Sequence, residues 1–103
     1  MVYKPVFTKT AQKSYFEHLE FLKQSYSEQA VALFVENVFK ILDHLSKHSA
    51  MFPESSNFKK YRRALINRYT SMFYSISVIH HELVIHLFWN NKWNPKYLEY
   101  FLV

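Results

Sequence analysis

The chain of 103 residues contains no glycine and no cysteine. At average usage, near 7%, a chain of this length would carry about seven glycines. Phosphate-cradling loops, dinucleotide-binding fingerprints and nucleophile elbows need glycine where the backbone approaches a ligand or takes a positive φ. The absence of glycine therefore excludes P-loop NTPases, Rossmann enzymes and α/β-hydrolases. The absence of cysteine excludes disulfides, thiolate zinc sites and cysteine nucleophiles.

Long apolar runs are absent as well. The longest, such as residues 30–35, are far shorter than the roughly 20 residues that a membrane-spanning helix needs. The N-terminal residues lack the apolar segment of a signal peptide, so we expect neither membrane insertion nor export by that route, and the cytoplasm is the default location. Half of the residues are apolar, which is enough for one core, and residues 1–103 are predicted to form a single domain.

The net charge of +5 is concentrated in one short segment. Residues 59–68 contain five cations and no acid, whereas the rest of the chain is balanced. The five cations are Lys59, Lys60, Arg62, Arg63 and Arg68. Such a cluster is typical of a surface that binds a polyanion or an acidic partner, and the alternative is a solvated basic strand.

The N-terminal half predicts a strand and two helices. Residues 2–7 alternate loosely around Pro5, which favours an edge strand. Helical periodicity follows, with Thr8 or Thr10 as the N-cap of the first helix. The Ser-x-x-Glu pattern of residues 25–28 indicates a capping box at the start of a second helix. A short link between these segments predicts a helical hairpin.

The C-terminal half predicts three antiparallel strands. The apolar period changes to two within residues 62–66, 72–78 and 83–89, with hairpin turns at residues 67–68 and 80–81. Met72, Tyr74, Ile76 and Val78 are expected to face the helices. Residues 96–103 are expected to form a short helix or an irregular tail. The predicted fold is therefore α+β, with an N-terminal edge strand, a helical hairpin and a three-stranded antiparallel sheet packed on the helices.

The six histidines do not predict a metal site. Only His44 and His48 share helical i, i+4 spacing, and no third ligand is evident. The sequence predicts no metal and no other cofactor. His86 lies within an apolar strand, where it is either a hydrogen-bonded core histidine or a catalytic acid or base.

Several short motifs, in this order, resemble the RelE/ParE superfamily of bacterial toxins, which includes plasmid stabilisation proteins. The superfamily motifs are a Thr-x-x-Ala start of the first helix, a Tyr-Arg-like opening of the second strand and an Arg-x-x-Pro motif after the last strand. Here the corresponding residues are Thr8 and Ala11, then Tyr61 and Arg62, and finally residues 92–95, in which Lys92 replaces the arginine. Each motif is weak alone, and the specificity lies in their order over some 90 residues.

The resemblance implies the toxin of a type II toxin-antitoxin system, which stops growth and is neutralised by a cognate antitoxin, usually made from the neighbouring gene. RelE-like members cut ribosome-bound mRNA without a metal, and ParE-like members poison DNA gyrase. In RelE-like enzymes an arginine lies in the middle of the third strand, where this chain has Ser71. Because that cation is missing, we expect a ParE-like or divergent toxin, and whether the protein is an enzyme stays open.

The candidate catalytic residues of a metal-free ribonuclease are Arg63, Lys92, His86 and Tyr97. The candidate target contacts are the five cations of residues 59–68 together with Lys92 and Trp93. Arg62 and Arg63 are neighbours on a strand and must point to opposite faces, so only one can join the exposed groove. The other is expected to pair with a helix glutamate.

Trp93 is expected either to stack on a base, to receive an antitoxin side chain or to pack against the tail. Two alternatives to an active toxin remain at this point: an inactive family member that retains protein interactions, or a small basic module that binds nucleic acid.

Overall fold

A computed structural model describes residues 2–55, 58 and 60–102. The α+β prediction is confirmed: a strand and a helical hairpin precede three further strands and a short 3-10 helix, called here the tail helix. None of the helices in this part of the chain is both long and apolar enough to cross a membrane. The elements are β1 (Lys4–Phe7), α1 (Lys9–Ser25), α2 (Glu28–Lys47), β2 (Arg62–Asn67), β3 (Thr70–Ser77), β4 (Glu82–Asn90) and the tail helix (Pro95–Tyr100).

The sheet has four strands in the order β1-β4-β3-β2. Strand β3 is antiparallel to both β2 and β4, as predicted, but β1 joins the same sheet parallel to β4. The expectation of a three-stranded sheet was therefore one strand short. The apolar character of β4 on both faces fits its central place. Pro5, which has no amide hydrogen to donate, fits the edge strand: the amide of Lys4 donates to His81, just before β4, and that of Thr8 donates to Ile85 in β4.

One face of the sheet packs on the helical hairpin and forms the main core. Met72, Tyr74 and Ile76 contribute to it as predicted, and the Tyr74 hydroxyl donates a hydrogen bond to the Ser49 carbonyl (2.8 Å). The expectation for Val78 was wrong. Strand β3 ends at Ser77, and the Val78 side chain, in the following turn, is 66% exposed.

Both helices begin at a hydroxyl cap. Thr8 caps α1, since its Oγ1 accepts a hydrogen bond from the Ala11 amide (3.0 Å). The cap of α2 is Ser27, whose Oγ accepts from the Ala30 amide (3.1 Å). The capping box expected at Ser25 is therefore displaced by two residues, because α1 continues through Ser25 and leaves only a short link.

The two β-hairpins turn without glycine by different means. At the β2–β3 turn, Asn67 Oδ1 accepts hydrogen bonds from the amides of Tyr69 (2.8 Å) and Thr70 (3.0 Å). At the β3–β4 turn, His81 has a φ of 52° and is the only residue with a positive φ within the described ranges. Histidine is among the residues enriched in this left-handed region. Side-chain hydrogen bonding at one turn and a positive φ at the other therefore take the place of glycine.

The capping assignment predicts different effects for two nearby serines. Ser27→Ala removes the acceptor of the Ala30 amide and should lower the free energy of unfolding by about 1 kcal/mol. Ser25→Ala should change it by less than about 0.5 kcal/mol, because its side chain is exposed at the end of α1. Urea unfolding followed by circular dichroism measures both. A larger loss for Ser25→Ala would contradict the assignment.

Candidate target-binding face

The face of the sheet turned away from the helices carries the most distinctive polar groups, and we call it the tail face. Its apolar part is a second core cluster, in which the tail residues Leu98 and Leu102 cover Phe73, Leu87 and Trp89. Strand β4 bulges here: Phe73 pairs with Leu87 and Tyr74 pairs with Ile85, so His86 is an extra residue. The bulge brings His86 and Leu87, which are sequence neighbours, to the same face.

Arg63 lies at the centre of a hydrogen-bonded network on the tail face. Its Nε donates to Ser71 Oγ (2.9 Å), and its Nη2 donates to Asn91 Oδ1 (2.7 Å). Ser71 Oγ donates to the same Asn91 oxygen (2.6 Å). The guanidinium carbon lies 5.3 Å from the centroid of the Phe73 ring. Contacts with β3 and with the residue that follows β4 thus hold the guanidinium of this β2 residue in one position.

The Arg63 network includes position 71, where the family resemblance implies an arginine and this chain has a serine. Ser71 is fully buried, and its small side chain leaves room for a guanidinium from the neighbouring strand. A guanidinium from β2 therefore lies against the position on β3 at which the family resemblance implies an arginine. Sequence reasoning placed Arg63 among the candidates but did not predict its contact with Ser71.

The charge of Arg63 is not neutralised within the described part of the chain. The only ion pairs there join Lys40 to Glu36 and Lys47 to Asp43, all on the exposed side of α2. The acceptors of Arg63 are a hydroxyl and an amide oxygen, which satisfy two donors without cancelling the charge. A partly buried arginine in this state can bind a carboxylate or a phosphate through its remaining donors.

Arg62 points to the opposite face, so Arg63 is the one of the two arginines that lies on the tail face. Its Nη1 donates to the Phe52 carbonyl (2.7 Å). The expected pairing with a helix glutamate was wrong, because the loop before β2 folds beside this strand and offers a backbone oxygen. Arg62 is therefore a structural residue rather than a member of the tail face.

His86 lies on the tail face and is hydrogen-bonded. Its Nε2 is 2.7 Å from Ser75 Oγ, and its ring packs edge-on against Tyr61, with centroids 4.8 Å apart. Burial lowers the pKa of His86, and the positive charge of Lys60 lowers it further. One nitrogen of the imidazole is thus engaged by Ser75.

The other predicted contacts divide between two places. Lys60 is exposed beside the tail face, with its Nζ 5.6 Å from the centroid of the Tyr61 ring. Arg68 and Lys92 lie at the β2–β3 turn, 5.3 Å and 5.2 Å from the centroid of the Tyr69 ring. Lys59 lies outside the described residues.

Trp93 and Tyr97 are exposed on the tail segment. The Trp93 ring packs edge-on against Trp89 (centroids 5.1 Å apart), and the Tyr97 ring stacks on Tyr100 (6.1 Å). Trp93 thus packs against Trp89 of β4 and still presents about half of its surface to solvent. The four catalytic candidates have no hydrogen bonds to one another in the described part of the chain.

Asn91 is a residue of this site that sequence reasoning missed. Its Oδ1 accepts from Arg63 and Ser71, and its Nδ2 donates to the Arg68 carbonyl (3.3 Å). Its backbone amide donates to the Tyr69 carbonyl (2.7 Å). It therefore joins the tail face to the β2–β3 turn. Its place in the polar segment of residues 91–95 was the available signal, but its partners are distant in sequence.

Two half-buried histidines predict a pH dependence of stability. Burial lowers the pKa of His18 as well as that of His86. The unfolded chain, with histidine pKa values near 6.5, then binds more protons than the folded chain as the pH falls below about 6.5. The free energy of unfolding should therefore decrease as the pH falls through this window and stay level above it.

Urea unfolding at pH 7.5, 6.5 and 5.5 tests this dependence. The double variant His18→Asn/His86→Asn should show a smaller loss at low pH. His80→Asn, which alters an exposed turn residue, is the control and should behave as the wild type. An unchanged loss in the double variant would show that other groups cause the dependence.

Comparisons with known proteins identify the fold. No protein-family model and no curated protein matches the chain. Among solved structures, it is similar to a chain of the toxin-antitoxin complex RelBE2 from Mycobacterium tuberculosis, with 19% identity, a TM-score of 0.61, and coverage of 88% of this chain and 100% of the other. It is also similar to a chain of the heterotetrameric YoeB-YefM toxin-antitoxin complex from Staphylococcus aureus, with 16% identity, a TM-score of 0.53, and coverage of 82% and 92%. The chain therefore has the RelE-like toxin fold, as its resemblance to the RelE/ParE superfamily predicted.

Proposed function

We propose that this protein is the toxin of a type II toxin-antitoxin pair, and that it arrests growth by binding its target on the tail face. The observation that carries the proposal is the fixed, unneutralised guanidinium of Arg63. The fold shared with chains of two toxin-antitoxin complexes supports it. The partner is then a cognate antitoxin.

An RNA phosphate is the target chemistry that suits Arg63 best. A guanidinium binds phosphate through two parallel N–H donors, and it stabilises the charge that develops when a phosphodiester is cleaved. Lys60 adds a second positive charge beside the same face. We therefore place ribosome-bound mRNA first among the targets, with no metal in the reaction.

DNA gyrase is the second candidate target, and the state of His86 favours it. Metal-free cleavage needs one group that accepts the proton of the 2′-hydroxyl and another that protonates the leaving oxygen. The imidazole is hydrogen-bonded to Ser75, and Lys92 and Tyr97 lie against other aromatic rings. The tail face thus holds one fixed cation, Arg63, but no two groups placed to accept and to donate the protons of cleavage. Such a face suits a toxin that acts by binding a protein.

Two adjacent arginines provide a matched test of the tail face. Arg63→Gln keeps a polar side chain but removes the charge, and it should reduce growth arrest at least tenfold in viable counts, since one charge-stabilising donor is typically worth about 10²–10³ in rate. Arg62→Gln, on the opposite face, should arrest growth as the wild type does. Both variants should be checked for folding by thermal unfolding.

The same cultures distinguish the targets. Induced wild-type protein should stop growth, and protein synthesis failing before plasmid supercoiling changes would assign the ribosome. The reverse order would assign gyrase. Normal growth with folded wild-type protein would contradict the proposal and favour an inactive or purely nucleic-acid-binding protein. Equal arrest by Arg63→Gln would contradict the assignment of target binding to the tail face.

A further inference from the structure

A cavity of about 360 Å³ lies between α1, the end of β4 and the segment that follows β4, and we call it the Trp89 cavity. Its volume is at the lower end of the range for small-molecule pockets, so it suits a compact ligand. Aromatic rings from all three elements contribute to its wall: Phe21 from α1, Trp89 from β4, and Trp93 and Phe101 from the segment after β4.

Three of these rings meet at one corner of the cavity. The Trp93 ring is nearly perpendicular to the Trp89 ring (87°), with the two centroids 5.1 Å apart. The Phe101 ring is inclined by 60° to that of Trp89, at 6.3 Å. Rings that meet at such angles do not lie flat on one another, so they form walls in different planes. Trp93 and Phe101 each present about half of their surface to solvent, which leaves them accessible to a ligand.

Aromatic walls of this kind attract cations. The face of an aromatic ring carries negative charge density, and the indole of tryptophan binds cations best. A quaternary ammonium group has no N–H donor, so it enters an apolar space without leaving a hydrogen bond unsatisfied. Cages of several aromatic rings accordingly recognise quaternary ammonium ligands.

One carboxylate and one ammonium group lie on the α1 wall of the Trp89 cavity. Glu17 is the only acid, and Lys13 the only lysine or arginine, among the described residues that line it. The two are one helical turn apart, yet neither forms an ion pair within the described part of the chain. The charge of Glu17 is therefore available to a bound cation, and the charge of Lys13 opposes one.

The walls of the cavity are held by fixed contacts. Ser14 Oγ accepts a hydrogen bond from the Phe88 amide (3.0 Å), which fastens α1 to β4. Leu98 and Leu102 are buried against the tail face and anchor the segment that carries Phe101. A preformed site loses little conformational entropy when it is occupied, which favours the binding of a small ligand.

We propose that the Trp89 cavity binds a small soluble quaternary ammonium compound. The ammonium group lies against Trp89, Trp93 and Phe101, and Glu17 is its counterion. The inference goes beyond the proposed function and does not depend on it, because Arg63 and its hydrogen-bond partners do not line this cavity.

Choline is the probe for this site, and its control is the uncharged isostere in which a tert-butyl group replaces the trimethylammonium group. Trp89 and Trp93 are the only tryptophans of the chain, so intrinsic tryptophan fluorescence reports on the cavity. Choline should bind the full chain with a Kd below about 1 mM, and the isostere at least about tenfold more weakly. Equal affinity for the two compounds, or no saturable change with choline, would overturn the inference.

Two exposed aromatic residues provide a matched pair of variants. Trp93→Leu removes one wall of the corner and should raise the Kd for choline at least about fivefold. Tyr100→Leu is the control: Tyr100 is 79% exposed in the same segment but does not line the cavity. It should change the Kd by less than about twofold. Calorimetry measures both variants, because Trp93→Leu also removes a fluorophore.

The charged residues of α1 give effects of opposite sign. Glu17→Gln should weaken choline binding and Lys13→Gln should strengthen it, each by about twofold or more at low salt. Glu20→Gln, which is exposed on the same helix outside the cavity, should leave the Kd unchanged. Unchanged affinity in both Trp93→Leu and Glu17→Gln would show that choline binds elsewhere and would overturn the inference.

A phosphatidylcholine membrane carries the same head group, and flotation with vesicles of this lipid distinguishes the two sources. The protein should stay unbound, since the cavity suits a compact ligand. Flotation that Trp93→Leu abolishes would show that the ligand is a lipid and would overturn the assignment to a soluble compound.

Discussion

Strand β3 is covered on both faces, and the placement of the candidate site depends on this double burial. Met72 and Tyr74 enter the core beneath the helices, while Ser71 and Phe73 are buried on the tail face. A buried hydroxyl needs hydrogen-bond partners, and Ser71 finds them in Arg63 and Asn91. The packing requirement of one small polar residue thus positions the guanidinium.

The ion pairs and the unpaired cations of the described chain lie on different elements. The ion pairs of the described chain lie on α2 at i, i+4 spacing, where exposed pairs contribute only about 0.3–0.5 kcal/mol each. These acids are neutralised locally and do not reach the sheet. The described cations of β2 and the β2–β3 turn therefore have no acidic side chain within ion-pair distance. They can bind an anionic partner.

Asn91 connects the tail face to the β2–β3 turn. Its side chain contacts Arg63 and Ser71 on one side and the Arg68 carbonyl on the other. Two hydrogen bonds through Asn91 therefore separate the backbone of the β2–β3 turn from the Arg63 guanidinium.

The sequence by itself determined the elements, because hydrophobic periodicity and capping residues are local signals. It predicted the helical hairpin, the antiparallel pairs of β2, β3 and β4, the edge position of β1 and the cluster of cations. It could not predict that β1 pairs with β4, or that Ser27 rather than Ser25 caps α2, because the end of α1 decides the cap and distant pairing decides the sheet.

Only the tertiary structure decided on which face each cation lies. Alternation along β2 required Arg62 and Arg63 to face opposite ways. Which of them lies on the tail face depended on the loop carbonyl of Phe52 and on the oxygen of Asn91, 28 residues from Arg63 in sequence. The same holds for a cavity of about 490 Å³ whose walls come from both helices and the β2–β3 turn. Contacts between residues distant in sequence carry no local periodic signal, so a functional surface built from them becomes visible only when the chain is folded.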